Sequence, residues 1–172
     1  LNVFGICDFE LGILKMPNIS PLDRPVRMGL VGGGRGFIGR VHALAATMDR
    51  RALLVAGALS SDPARARAAA ADFEIAPGRA YPSWTDMVAG ESRLPVGERI
   101  DFVTIATPNH THFAIAKAFA QAGIHVMCDK PMTLTLAEAE ELARIVQKTG
   151  IVLAVTHTYT GYPLVRQARD LV

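Results

Sequence analysis

Residues 26–42, VRMGLVGGGRGFIGRVH, limit what this chain can become more than any other stretch. A short apolar run passes through a cluster of glycines into a segment with helical spacing. Glycine lacks a β-carbon, so it permits a tight turn and lets a phosphate approach the backbone and the positive end of the following helix. Gly34, Gly36 and Gly39 satisfy G-x-G-x-x-G, and Gly32 with Gly34 supplies an overlapping G-x-G at the strand end. The two registers differ by two residues. The reading adopted here gives Gly32 and Gly34 to the turn and lets Gly36 and Gly39 close onto the helix. Such a turn is a weak signal by itself, so the rest of the chain has to decide.

Downstream, apolar runs alternate with helical patterns. Strands are expected at 26–31, 53–59, 79–81 (short), 100–106, 124–128 and 151–155, about six in all. Phe37, Val41, Leu44 and Met48 recur at helical spacing and are expected to face the sheet. Asp62 and Pro63 start a second helix over an alanine-rich run, with Asp62 as its N-cap. Ser83 and Asp86 bracket a short helix. Ile115, Phe119 and Ala122 mark another, stopped by Gly123. Thr135 and Glu138 form a capping box for a helix whose Leu136, Ala139, Leu142, Ala143 and Val146 are expected to turn inward, and Pro163 opens a last one. This alternation predicts an α/β fold with a doubly wound parallel sheet.

Ligands of such sheets bind beyond the carboxyl ends of the strands. The glycine turn, Ser60 and Ser61, the Thr107-Pro108-Asn109-His110 turn, Lys130 and His157 all fall there. Their convergence points to a dinucleotide, held at the first turn by Gly32, Gly34, Gly36, Phe37, Ile38 and Gly39. About twenty residues on, where a carboxylate would bind the ribose hydroxyls of NAD, the chain has Ser60 and Ser61, with Arg65 and Arg67 following. Both NAD and NADP remain open, and the serine pair tips the reading slightly to NADP.

Lys130 is the candidate catalytic residue: a lysine before proline at a strand end has a restricted backbone and can present its ammonium to a substrate hydroxyl. His110 and His112 lack a third ligand at a recognisable spacing, so no metal site is expected. His110 is read as bordering the cofactor and His112 as part of a helix start. His42 is given a structural role, and His125 is taken as a satisfied sheet residue.

The glycine turn with Val41-His42, and the segment TPNHTHFAIAKAFAQAGIHVMCDKPMTLTLAEAEEL, resemble the Gfo/Idh/MocA family of oxidoreductases over residues 26–172. The resemblance implies a Rossmann fold and an NAD(P)-dependent hydride transfer to or from a sugar, cyclitol or related polyol. It gives Lys130 the role of a Glu-Lys-Pro lysine, with Asp129 in place of the usual glutamate and Pro131 following, and makes residues 107–110 the turn flanking the cofactor. It also implies a second domain that carries a substrate-binding Asp and His and builds a homo-oligomer. That domain would begin near Val172, so this chain is expected to bind cofactor without efficient turnover. A non-catalytic nucleotide-binding or regulatory domain is the alternative. Another Rossmann dehydrogenase is disfavoured, because neither Tyr159 nor Tyr162 has a lysine downstream.

Length and charge narrow the remaining classes. The 172 residues suit one domain, with 1–25 read as a mobile extension, Met16 as a natural start and 26–172 as the dinucleotide-binding domain. A net charge of +2 without a basic run gives no nucleic-acid surface. No apolar run is long enough for a bilayer, and Asp8 and Glu10 break the first apolar segment, against a signal peptide. Cys7 and Cys128 are far apart with no metal spacing, which fits a reduced, cytoplasmic protein.

Overall fold

Five apolar stretches pair as parallel strands in the computed structural model, which describes residues 24–172 apart from Arg35. They are β1 (Val26–Gly32), β2 (Ala52–Ala58), β3 (Phe102–Ala106), β4 (His125–Asp129) and β5 (Leu153–Thr156), in the order β2-β1-β3-β4-β5. The helices are α1 (Phe37–Thr47), α2 (Pro63–Asp72), α3 (Trp84–Glu91), α4 (His112–Gln121), α5 (Leu136–Thr149) and α6 (Pro163–Leu171). The expected doubly wound parallel sheet is therefore present. The expectations for residues 1–23 of the extension, Met16 and Cys7 among them, lie outside the described residues; Arg24, near the extension's end, is tied to the domain by donating to both Asp101 carboxylate oxygens at 2.7 and 2.8 Å.

Successive strand residues point to opposite faces, so each buried strand feeds two apolar layers. Met28 and Leu30 join Leu59, Ile75 and the small Ala69 and Ala70 of α2. Val31, Val103, Ile105, Val126 and Cys128 join Ile115 and Phe119 of α4 and Leu142 of α5. Phe119 and Leu142 are fully buried, and removing a ring like that of Phe119 costs about 3–5 kcal/mol.

The sheet has five strands where about six were expected, because 79–81 does not form one. Pro77 opens a 3-10 turn over Pro77–Arg79, and Pro82 has no N–H to give. Between them only one bridge survives, Gly57 to Ala80, with the Tyr81 amide donating to the Gly57 carbonyl at 2.8 Å.

A second correction concerns α1. Its large apolar residues were expected on the sheet, yet Phe37, Leu44 and Met48 are 83, 68 and 74 % exposed. The buried residues of the helix are Gly39 and Ala43, with Ile38 and Ala46 partly buried beside them. Both stripes have helical periodicity, and the sheet selects the small one because the helix lies too close for bulk. On α5, Leu142 is buried and Val146 packs on the core beside Ile145, while Leu136 and Ala143 point outward.

The segment after the missing strand is held by a buried charge. Glu91, at the end of α3, is fully buried and takes two hydrogen bonds from the Arg79 guanidinium at 2.8 and 2.7 Å. Its carboxylate also accepts from the Tyr81 hydroxyl at 2.8 Å and from the Ile100 amide at 2.9 Å. Burial, together with the bond to Glu91, pushes the Tyr81 phenol up to about 12.

Breaking a buried pair strands the remaining partner, so Glu91→Ala is expected to cost about 3–5 kcal/mol in urea unfolding, against under ~1 kcal/mol for the exposed Asp72→Ala. Because the unfolded phenol ionises near pH 10 and the folded one near pH 12, stability should fall as pH rises through that window. Tyr81→Phe should flatten part of that fall in thermal melts.

Candidate functional site

The turn that leaves β1 is built by two glycines in the left-handed region, Gly32 at φ +76° and Gly33 at φ +69°. Gly33 then lies directly against α1. A β-carbon on Gly39 would come within 2.6 Å of the Gly33 Cα, so helix and turn meet backbone to backbone. Gly34 is buried, and its amide donates to the Leu59 carbonyl at 3.3 Å. Gly36 occupies the N-cap of α1 and supplies no side-chain acceptor.

That last point separates α1 from three other helices. Asp62, Ser83 and Thr135 each accept an amide hydrogen at the starts of α2, α3 and α5. At α1 no side chain among the described residues caps the first amides, and a helix start of this kind attracts an anion. A hollow of about 220 Å³ lies against Gly33, Gly34, Gly36 and Ile38, with Ser60 and Arg65 on its wall. Arg67 instead lines a separate cleft beside Pro63 and Ile75, so the two arginines do not act together.

Ser60 also borders a larger cleft of about 620 Å³, lined by Gly32, Gly33, Ser61, Trp84, Thr107 and Pro108 among others. It sits between the ends of β1, β2 and β3, where the chain, having run from β1 to β2, returns across the sheet to β3. Such switch points are where open α/β sheets bind their ligands. Asp62 accepts from the Arg65 amide at 2.8 Å, the capping expected of it, and the Ser60 hydroxyl accepts from the Asp62 amide at 3.1 Å.

Lys130 lies outside these hollows. It is exposed, and its ammonium has no hydrogen bond or ion pair among the described residues. Its position is set by its backbone. The Lys130 amide donates to Asp129 Oδ1 at 3.0 Å, the same oxygen accepts from the Thr156 hydroxyl at 2.8 Å, and the Lys130–Pro131 peptide is cis. Asp129 is thus occupied in holding the turn. Asn109, His110 and Pro131 are exposed, as is Phe37.

The residues expected at the cofactor site therefore fall into three groups. Gly32, Ser60, Ser61, Thr107 and Pro108 surround the cleft; Gly34, Gly36 and Ile38 surround the small hollow, with Gly39 beneath; Asn109, His110, Asp129, Lys130 and Pro131 lie along the ends of β3 and β4. Sequence reasoning missed Gly33 and Trp84. The run of three glycines was the available signal for the first, whereas a lone tryptophan after a serine cap gave none for the second.

Two titratable groups sit near β4. Burial lowers the pKa of His42, opposed by the Asp129 carboxylate, and its Nε2 is buried without a partner among the described residues. Burial pushes the Cys128 thiol up to about 12, with Asp129 adding to the effect. His125 Nδ1 accepts from the Val152 amide at 2.9 Å, as a satisfied sheet histidine should.

Residues 26–157 match the family model described as "Oxidoreductase family, NAD-binding Rossmann fold" (Gfo/Idh/MocA). The chain belongs to the Gfo/Idh/MocA family. It is 36% identical over 153 residues to the oxidoreductase YfiI of Bacillus subtilis, a match that covers 88% of this chain and 38% of that protein. It is 34% identical over 148 residues to the levoglucosan dehydrogenase of Pseudarthrobacter phenanthrenivorans, covering 86% of this chain and 37% of the enzyme. An inositol dehydrogenase homologue of Azotobacter vinelandii, solved with NADH and myo-inositol, superposes with a TM-score of 0.81 at 43% identity. That superposition covers 87% of this chain and 39% of the homologue. The chain thus spans about two fifths of the length of these Gfo/Idh/MocA proteins.

The glycine contacts make a paired test. Gly39→Ala forces a β-carbon into the Gly33 backbone and should cost about 1–3 kcal/mol, read as a lower melting temperature. Gly36→Ala, whose β-carbon would have just the Gly33 Cα at 3.8 Å among the described residues, should melt close to the unsubstituted chain. Separately, peptide mapping after alkylation at pH 8 should find Cys128 unmodified in the folded chain and modified in urea.

Proposed function

We propose that this chain is the NAD(P)-binding part of an oxidoreductase that moves a hydride between a nicotinamide cofactor and a secondary alcohol of a sugar, cyclitol or related polyol. The observation that carries the reading is that the hollow at the uncapped start of α1 and the cleft between the ends of β1 and β3 share the walls Gly33, Leu59, Ser60 and Ala106. The residues fit the group: among the described residues a β-carbon on Gly36 would meet just the Gly33 Cα at 3.8 Å, and no side chain caps the helix start there. Bound there, the nicotinamide would supply the hydride chemistry itself.

The chain's own residues would then bind and orient. The first amides of α1 would hold the pyrophosphate, and Ser60 and Ser61 the adenosine ribose. Arg65, which lines the same hollow as Ser60, favours a 2′-phosphate, hence NADP slightly over NAD. Lys130 would present its ammonium to the reacting hydroxyl and stabilise the developing alkoxide. Asp129 would keep the lysine's backbone in place, while Asn109 and His110 would flank the cofactor.

Relatives named for levoglucosan and for myo-inositol support the substrate class. The proposal extends to a homo-oligomeric whole protein in the cytoplasm. A buried free Cys128 suits a reduced compartment, and among the described residues no helix is long and apolar enough to cross a membrane.

Titration with NADH and NADPH, followed by nicotinamide fluorescence, tests the reading. Both should bind, NADPH more tightly, and Arg65→Ala should weaken NADPH by about tenfold with NADH changed less than about threefold. No binding of either cofactor by the folded chain would overturn the assignment.

A further inference from the structure

The hydrogen-bonded ladder between β3 and β4 ends at the pair Ile105–Cys128. Beyond it the two strands open into the loops that carry Thr107 and Pro108 on one side and Lys130 and Pro131 on the other. No backbone bond joins these loops among the described residues. A single side chain does. His112, the first residue of α4, is 1 % exposed, with Nε2 at 2.9 Å from the Thr107 carbonyl and Nδ1 at 2.7 Å from the Pro131 carbonyl.

Both partners are backbone oxygens that can only accept, and each ring nitrogen lies within hydrogen-bond distance of one of them, so the tautomer decides which loop receives the N–H. The near end of the brace is stiffened in its turn. The Thr111 hydroxyl lies 2.7 Å from both the Thr107 hydroxyl and the Pro108 carbonyl. At the far end, Asp129 fixes the Lys130 amide and is itself held by Thr156. The ring therefore sits in the middle of a chain of bonds that runs from a wall of the cleft to the backbone of the lysine.

We propose that His112 is a positioning residue: it locks the loop lining the dinucleotide cleft to the loop bearing Lys130, so that the lysine is held at a fixed offset from the bound cofactor. This rests on the NAD(P) reading above for its functional consequence, and on the two carbonyl contacts alone for the brace itself. It also explains why a histidine, polar and helix-neutral, stands fully buried at the first position of a helix whose other buried residues, Ile115, Ala116, Phe119 and Ala120, are apolar.

Two variants separate the brace from mere packing. His112→Phe keeps a ring of similar size and removes both ring nitrogens; His112→Gln keeps an amide donor able to serve one carbonyl. With folding checked by circular dichroism, hydrogen exchange in His112→Phe should quicken about tenfold in both 107–111 and 130–135, while β3 and β4 keep their protection. His112→Gln should restore protection in part.

NADH affinity should fall about tenfold in His112→Phe, and by less than about threefold when the same change is made on a Lys130→Ala background, since a residue acting through the lysine loop is non-additive with it. Unchanged exchange in either loop, or equal losses of affinity with and without Lys130, would overturn the proposal. If the unsubstituted chain binds no NADH, the cofactor reading fails, and the exchange measurement still decides whether the brace exists.

Discussion

The backbone contact between Gly33 and Gly39 sets the distance between α1 and the end of β1, and much of the site depends on that distance. With no β-carbon on either residue the helix start comes down onto the strand end, and its amides, uncapped by any described side chain, arrive beside the turn. The same closeness decides which face of α1 meets the sheet. Gly39 and Ala43 fit under the helix and Phe37, Leu44 and Met48 do not, so a stripe with sound helical periodicity is turned outward. A steric constraint between two residues thus overrides an amphipathic pattern running from Phe37 to Met48.

What could be read from the sequence follows the same division. The caps at Asp62, Ser83 and Thr135 and the stop at Gly123 are local signals, and each is found where its chemistry placed it. The glycine turn was legible as a turn; which glycines would be left-handed was not, because Gly33 and Gly34 differ only in what surrounds them. The third strand failed for a reason present in the sequence, since prolines at 77 and 82 leave too few amides to form a ladder.

Non-local pairings were the part that could not be read. Glu91 carries no local signal of burial, and only the fold brings Arg79, Tyr81 and the Ile100 amide around it. His112 reads as an ordinary helix start, and only the parting of β3 and β4 beyond their last pair gives its ring two carbonyls to hold. Trp84 reaches the wall of the cleft because α3 follows the aborted strand. In each case the side chain's meaning depends on residues far away in sequence, which periodicity does not encode.

The aborted strand has a consequence for the sheet's outer margin. β2 is a terminal strand, and a terminal strand offers a row of unpaired amides and carbonyls to any extended chain it meets. The segment from Pro77 to Pro82 lies along that margin yet gives it just one bridged pair, and its prolines cannot pass a ladder onward. Its anchorage to Glu91 keeps it there. A piece of chain that falls short of being a strand thereby acts as a guard rail, keeping neighbouring molecules from extending the sheet.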